Sequence, residues 1–212
     1  MRHRIDTLFN YSRIDSTYKF KLKVITFCDK ELIVILICTS RRPTSRIRRF
    51  SHDLNRILAK SVYINRGKLN MTGIIESARN INADKVILIE RWKGDVGRLR
   101  FYYVSSNTYT DTPPLLIIRS VKTQSELGRK KRIGPNIGLV RSKNLNSNNE
   151  KLLHFLSLFL QIPLHIEETI KTEYATALSL SSLPEGDLRL TVTSPPLISE
   201  VGPRITIRKV VW

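Results

Sequence analysis

The chain has 212 residues, enough for one large domain or two small ones with a buried core. Its 36 lysines and arginines face only 18 acidic residues, and a net charge of +18 favours a polyanionic partner, nucleic acid before an anionic membrane. Two cysteines and four scattered histidines exclude a disulfide scaffold and a four-ligand zinc site, and no apolar stretch reaches the ~20 residues that span a bilayer.

Residues 1–30 show no sustained period and form an N-terminal extension whose role the sequence does not assign. They lack a signal-peptide core and cleavage site, so a soluble, intracellular protein is expected. Leu32–Cys38 is a continuous apolar, β-branched run, the pattern of a strand buried on both faces, with Cys38 as a small core residue. Thr39–Ser45 reads as a turn around Pro43. Ile47, Phe50, Leu54, Ile57 and Leu58 then recur at helical spacing, behind Thr44 or Ser45 as the cap. Ser61–Asn65 is a short strand and Arg66-Gly67 a turn. Thr72 is the expected cap of a second helix through Ile75, Ala78 and Ile81, and Lys85–Arg91 is another buried strand. Gly94 to Gly97 are expected to make a hairpin turn into the strand Arg98–Ser105.

Asn107–Pro114 reads as a loop, and Leu115 opens a second unit with a strand. Residues 122–136 read mainly as basic loop, Ile137–Val140 as a short strand, and Asn148 or Asn149 as the cap of a helix carrying Leu152, Leu153, Leu156, Phe159 and Leu160. Three strands close the chain: Glu173–Ser181, Asp187–Thr193 and Arg204–Val211, the first two joined by the turn Leu183–Gly186. The result is an α/β layer arrangement with two similar halves, 31–106 and 107–212, each a mixed sheet with helices.

Chemistry concentrates in Thr39–Arg49. A loop feeding a helix N-terminus presents free N–H groups and partial positive charge, a natural phosphate site. Arg46, Arg48 and Arg49 crowd that end, Arg41 and Arg42 precede it, and the hydroxyls of Thr39, Ser40, Thr44 and Ser45 can donate to phosphate oxygens. The glycine patterns of nucleotide-binding loops are absent, so the expected ligand is a nucleic-acid backbone and no small-molecule substrate is implied. A second basic region, Arg119–Lys143, contains the glycine-flanked loop with Arg129, Lys130, Lys131 and Arg132. Tyr102, Tyr103, Tyr109 and Trp92 supply candidate surfaces for base stacking. Asp84, Glu90 and Asp95 form no paired-carboxylate site, and the sequence assigns no catalytic residue, metal or cofactor.

Three elements resemble the Brix domain family. "ICTSRRPTSRIRRFSHDL" is similar to its opening element, "INRG" at Ile64–Gly67 to its Arg-Gly element, and "SEVGPRITIRKV" at Ser199–Val210 to its closing strand. They occur in the family's order across residues 32–211, and the form is similar to the compact archaeal, Imp-four-like branch. The resemblance implies two halves like the anticodon-binding domain of class IIa aminoacyl-tRNA synthetases. It implies binding of rRNA or precursor rRNA in small-subunit ribosome biogenesis, alongside other assembly proteins, without catalysis. It places the protein in the archaeal cytoplasm, or in the nucleolus if eukaryotic. The family's elements fall on Thr39, Ser40, Arg41, Pro43, Ser45, Arg66, Gly67, Gly202, Pro203 and Arg204, which adds Arg66 and Arg204 to the RNA-binding candidates; Gly202-Pro203 also reads as an architectural start for the last strand. Two alternatives stay open: an RNA nuclease or RNA-modifying enzyme on an α/β frame, and a protein-interaction scaffold.

Overall fold

Val34–Thr39 form strand β1, and its alternate side chains serve two different helices. Ile35 and Ile37 pack with Ile47, Phe50 and Ile57 of α1 (Ser45–Ile57), while Leu36 and Cys38 pack with Ile74, Ile75 and Ala78 of α2 (Met71–Asn80). A strand covered on both faces needs an uninterrupted apolar run, which is why this one lacks polar alternation. The computed structural model describes residues 34–58, 60–128, 137–166, 174, 176–194 and 199–212. The expected extension over 1–30, and Arg129, Lys130, Lys131 and Arg132, lie outside the described residues.

β1 pairs in parallel with β2 (Ser61–Ile64) on one side and β3 (Ala83–Trp92) on the other. β3 turns back into antiparallel β4 (Asp95–Val104), and β4 into β5 (Tyr109–Lys122). The C-terminal part contributes β6 (Ile137–Arg141), α3 (Glu150–Leu160), β7 (Leu164–Ile166), β8 (Thr176–Ser182), β9 (Leu188–Ser194), β10 (Ser199–Glu200) and β11 (Arg204–Val211). All strands join one sheet, ordered β2-β1-β3-β4-β5-β11-β9-β8-β6-β7, with β10 beside β9. The two sides pair alike: β6 lies parallel to β7 and β8, β8 runs antiparallel to β9, and β9 to β11. Antiparallel β5 and β11 join them, so a single mixed sheet runs through both. One core continues across that join, where Phe101 of β4 lies 5.0 Å from Phe159 of α3, ring centre to ring centre.

Three local expectations need correction. The cap of α2 is Asn70 rather than Thr72: its side-chain oxygen accepts from the Gly73 N–H at 2.8 Å. The hairpin turn is Lys93-Gly94, with φ of 47° and 89°, and not Gly94–Gly97. Two positive φ values make a turn whose twist matches the flanking strands, and Gly97 belongs to β4. The Thr-rich segment before Leu115 is the start of β5 and not a loop. β11 pairs only with Leu115–Lys122, so Tyr109–Pro114 is bonded on one side, to β4. Two prolines are tolerated there because no partner needs their missing N–H groups. Asn149 occupies the position before α3 but makes no side-chain capping bond, a 3-10 turn over Ser147–Asn149 leading in instead. No helix among the described residues is long and apolar enough to cross a membrane.

Candidate nucleic-acid interface

The loop after β1 is tied to the β3–β4 hairpin at several points. The Ser40 N–H donates to the Ile89 carbonyl at 2.8 Å, and the Ser40 hydroxyl accepts the Arg91 N–H at 3.1 Å. Arg91 in turn donates from Nη1 to the Arg42 carbonyl at 3.2 Å. Thr44 caps α1 by accepting from the Ile47 N–H at 3.3 Å, and the same hydroxyl donates to the Gly94 carbonyl at 3.0 Å. The helix start and the hairpin turn are therefore held as one rigid rim.

A β-bulge in β4 lies beside that rim. Glu90 opposes Arg98 and Arg91 opposes Val96, so Gly97 is the extra residue. Arg91 and Trp92 close β3 and both are exposed at its end. A methyl at Gly97 would overlap the Trp92 Cβ and lie 3.1 Å from the Trp92 nitrogen, so the bulge position must stay bare.

An open pocket of ≈ 730 Å³ lies at this rim, lined by Ser40, Arg41, Arg66, Arg91, Trp92, Lys93 and Gly94. It lies at the carboxyl ends of β1, β2 and β3. The chain leaves β1 through α1 on one face of the sheet and leaves β2 through α2 on the other. In open α/β sheets the crevice at such a reversal is where ligands bind. Gly67, with φ of 54°, makes the turn that carries Arg66 there, and Arg66 Nε donates to the Leu69 carbonyl at 3.0 Å. Four cationic side chains line the wall and no carboxylate does. Cys38 lies buried in β1, and burial pushes its thiol up to about 11, which leaves it a core residue.

The remaining candidates divide sharply. Arg42, Ser45 and Arg49 are exposed, and the side chains of Arg41, Arg42 and Arg49 have no hydrogen-bond or ion-pair partner among the described residues. Thr39 is fully buried, so its hydroxyl is out of reach of a surface ligand. Arg46 is a strut rather than an open cation. Its guanidinium donates to Asp95 through Nη1 and to the Val121 carbonyl at 2.6 Å through Nη2, and it ion-pairs with Glu126, whose carboxylate oxygen lies 3.0 Å from Nε. Arg48 donates to the Pro43 carbonyl at 3.0 Å. Arg204 is paired with Glu200, Arg119 with Asp187 and Arg141 with Glu150, so the second basic region is partly neutralised by distant carboxylates. Gly202 is architectural: an added Cβ would meet Val192 Cγ1 at 2.8 Å. Sequence reasoning missed Arg91 and Lys93 as site residues, while Trp92, one of its stacking candidates, closes β3 at the pocket wall. Tyr102 is buried, whereas Tyr103 and Tyr109 are exposed.

Fold and pocket together define a mixed α/β protein with a cationic crevice at the carboxyl ends of its first parallel strands. A relative in Methanococcus maripaludis, named a probable Brix domain-containing ribosomal biogenesis protein, is 31% identical over 138 residues, covering 65% of this chain and 76% of the relative. The chain belongs to the Brix domain family. A relative of the same name in Pyrococcus horikoshii is 34% identical over 97 residues, which span 46% of this chain and only 43% of the relative. No family model matches the chain. Among solved structures, a probable ribosomal biogenesis protein from Aeropyrum pernix superposes with a TM-score of 0.69 at 22% identity, covering 85% of this chain and 99% of that one. The archaeal Imp4-like protein Mil does so with a TM-score of 0.57 at 20% identity, covering 82% and 97%. At those identities the likeness is one of fold.

Proposed function

We propose that this chain is a non-catalytic ribosome-biogenesis factor that holds ribosomal RNA or its precursor by the phosphate backbone. The observation that carries this reading is the pocket wall of Arg41, Arg66, Arg91 and Lys93 without a carboxylate. Unneutralised cations around a fixed crevice attract a chain of phosphates and release its counterions. Two of the residues come from the family's opening and Arg-Gly elements, 25 positions apart in sequence by their numbering, and both line the same cavity. Arg42 and Arg49 extend the cationic surface beyond it, and the exposed Ser45 adds a hydroxyl donor. The relatives' names, ribosomal biogenesis proteins, support the setting, in which other assembly proteins would be partners. Small-subunit precursor rRNA is the substrate and the archaeal cytoplasm the place that fit this reading.

The test is the salt dependence of binding to a single-stranded ribosomal RNA fragment. Each phosphate contact contributes a slope of about −0.7 in log affinity against log salt. Replacing Arg41, Arg66 and Lys93 together with alanine should lower the steepness by about 2. A slope unchanged by that triple substitution overturns the proposal.

A further inference from the structure

The pocket holds one group that phosphate binding does not require. Trp92 is 61% exposed, the last residue of β3, and part of the pocket wall, with the bulge residue Gly97 close against its backbone. Arg98 lies over its ring, 5.9 Å from the centre, and the residue still keeps most of its surface open. An indole in water carries a large apolar surface, which is normally buried unless something covers it in use. The backbone here is fixed by the Lys93-Gly94 turn and the Ser40–Arg91 bond, so the ring's attachment is preorganised.

We infer that the pocket takes one unpaired nucleotide of single-stranded RNA, the base stacked on Trp92 and the adjoining phosphates held by Arg41, Arg66, Arg91 and Lys93. The inference rests on the backbone-binding reading of the same site and adds what that reading leaves open, the selection of single strands over duplex. The pocket is open, and its volume of ≈ 730 Å³ leaves room for a base and its adjoining phosphates to enter from solvent. Stacking on an aromatic side chain requires a base withdrawn from its own stack, which a duplex does not offer. An acidic peptide would satisfy the cations and leave the indole uncovered. The wall offers arginine and lysine donors with no carboxylate or amide side chain, so any base with an open π-face is accepted and sequence preference is weak.

The chain has two tryptophans, so the full chain carrying Trp212→Phe reports on Trp92 alone. Its fluorescence is followed while an oligoadenylate of five nucleotides, an RNA duplex of equal charge, adenosine monophosphate and polyglutamate are added separately. The expected result is quenching by the oligoadenylate, with little from the duplex or polyglutamate and far weaker binding of the monophosphate. Trp92→Ala should weaken oligoadenylate binding about tenfold at unchanged salt slope, and Trp92→Phe should recover part of the loss. Equal quenching by duplex, by polyglutamate, or by the monophosphate at equal affinity overturns the inference. Oligoadenylate binding with a steep salt slope but no quenching, and no effect of Trp92→Ala, removes the stacking alone and leaves backbone binding standing. Failure of every RNA probe to bind removes both.

Discussion

Arg46 offers the sharpest separation between cations that build the fold and cations that face a ligand. It sits in the first turn of α1, where positive charge opposes the helix dipole. Its guanidinium nevertheless joins three separate segments: Asp95 at the start of β4, the Val121 carbonyl in β5, and Glu126 in the following turn. The side chain is 39% exposed, so the two ion pairs are screened and contribute about 0.5 kcal/mol each. The charge-assisted bond to Val121 is partly buried and contributes about 1 kcal/mol more. Arg46→Ala should therefore lower the unfolding free energy by about 2 kcal/mol. Arg41→Ala and Arg49→Ala, which remove exposed cations with no protein partner among the described residues, should each cost less than about 0.5 kcal/mol. Urea unfolding of the three variants, followed by circular dichroism, measures the difference as a shift in midpoint at constant slope. If Arg46→Ala unfolds with the wild-type midpoint, the strut assignment is wrong and Arg46 returns to the set of ligand-binding candidates.

Two further predictions concern the frame. Asp53 is buried in α1, and burial pushes its carboxyl up from 3.8, although the Gln124 N–H at 2.8 Å and Arg56 oppose the shift. A raised value means the folded protein holds this proton more tightly than the unfolded chain. Its contribution to stability is therefore greatest at acid pH and declines as pH rises through the window from 3.8 upward. Asp53→Asn keeps an oxygen for Gln124 and should flatten the stability profile just above about pH 4; an unchanged profile counts against this origin of the slope. Gly202→Ala should destabilise by about 1–3 kcal/mol, because the new methyl meets the branched side chain of Val192 at 2.5 Å or slightly more. Thermal unfolding of Gly202→Ala with and without Val192→Ala checks this, with less than additive loss in the double variant as the expected sign of a direct clash.

The strongly periodic elements were legible because their burial is written along the chain. The run ending at Cys38 and the spacing Ile47, Phe50, Ile57 each describe a face that the structure buries. The start of β5 was not legible: Thr110, Asp111, Thr112 and two prolines carry a loop composition, and only the absence of a second partner strand at that point makes them acceptable. The site was half legible. Arg41 and Arg66 stand in recognisable motifs and do line the pocket, whereas Arg91, Trp92 and Lys93 come to it on the β3–β4 hairpin, which is tied to the loop after β1 by contacts some 50 residues apart that leave no local mark in the sequence. Nothing local to Arg46 announces that carboxylates 49 and 80 residues away will reach it.

That last point changes what the net charge of +18 means. Counted along the chain, every arginine near β1 is equally available. In the fold, Arg46, Arg100, Arg119, Arg141 and Arg204 are each matched to a carboxylate, and they sit where the sheet and its helices need cross-links. The cations left without one around the carboxyl ends of β1 to β3 are steadied by neutral groups and not by counter-charges: the Arg91 N–H bonds the Ser40 hydroxyl, and the Arg91 and Arg66 guanidinium groups donate to the Arg42 and Leu69 carbonyls. A site held open in this way keeps its positive potential while free of ligand, so an arriving phosphate has no internal ion pair to displace. Under the proposed function, binding would draw on counterion release from the RNA with little reorganisation of the protein, which is the condition for a steep salt dependence carried by a few residues.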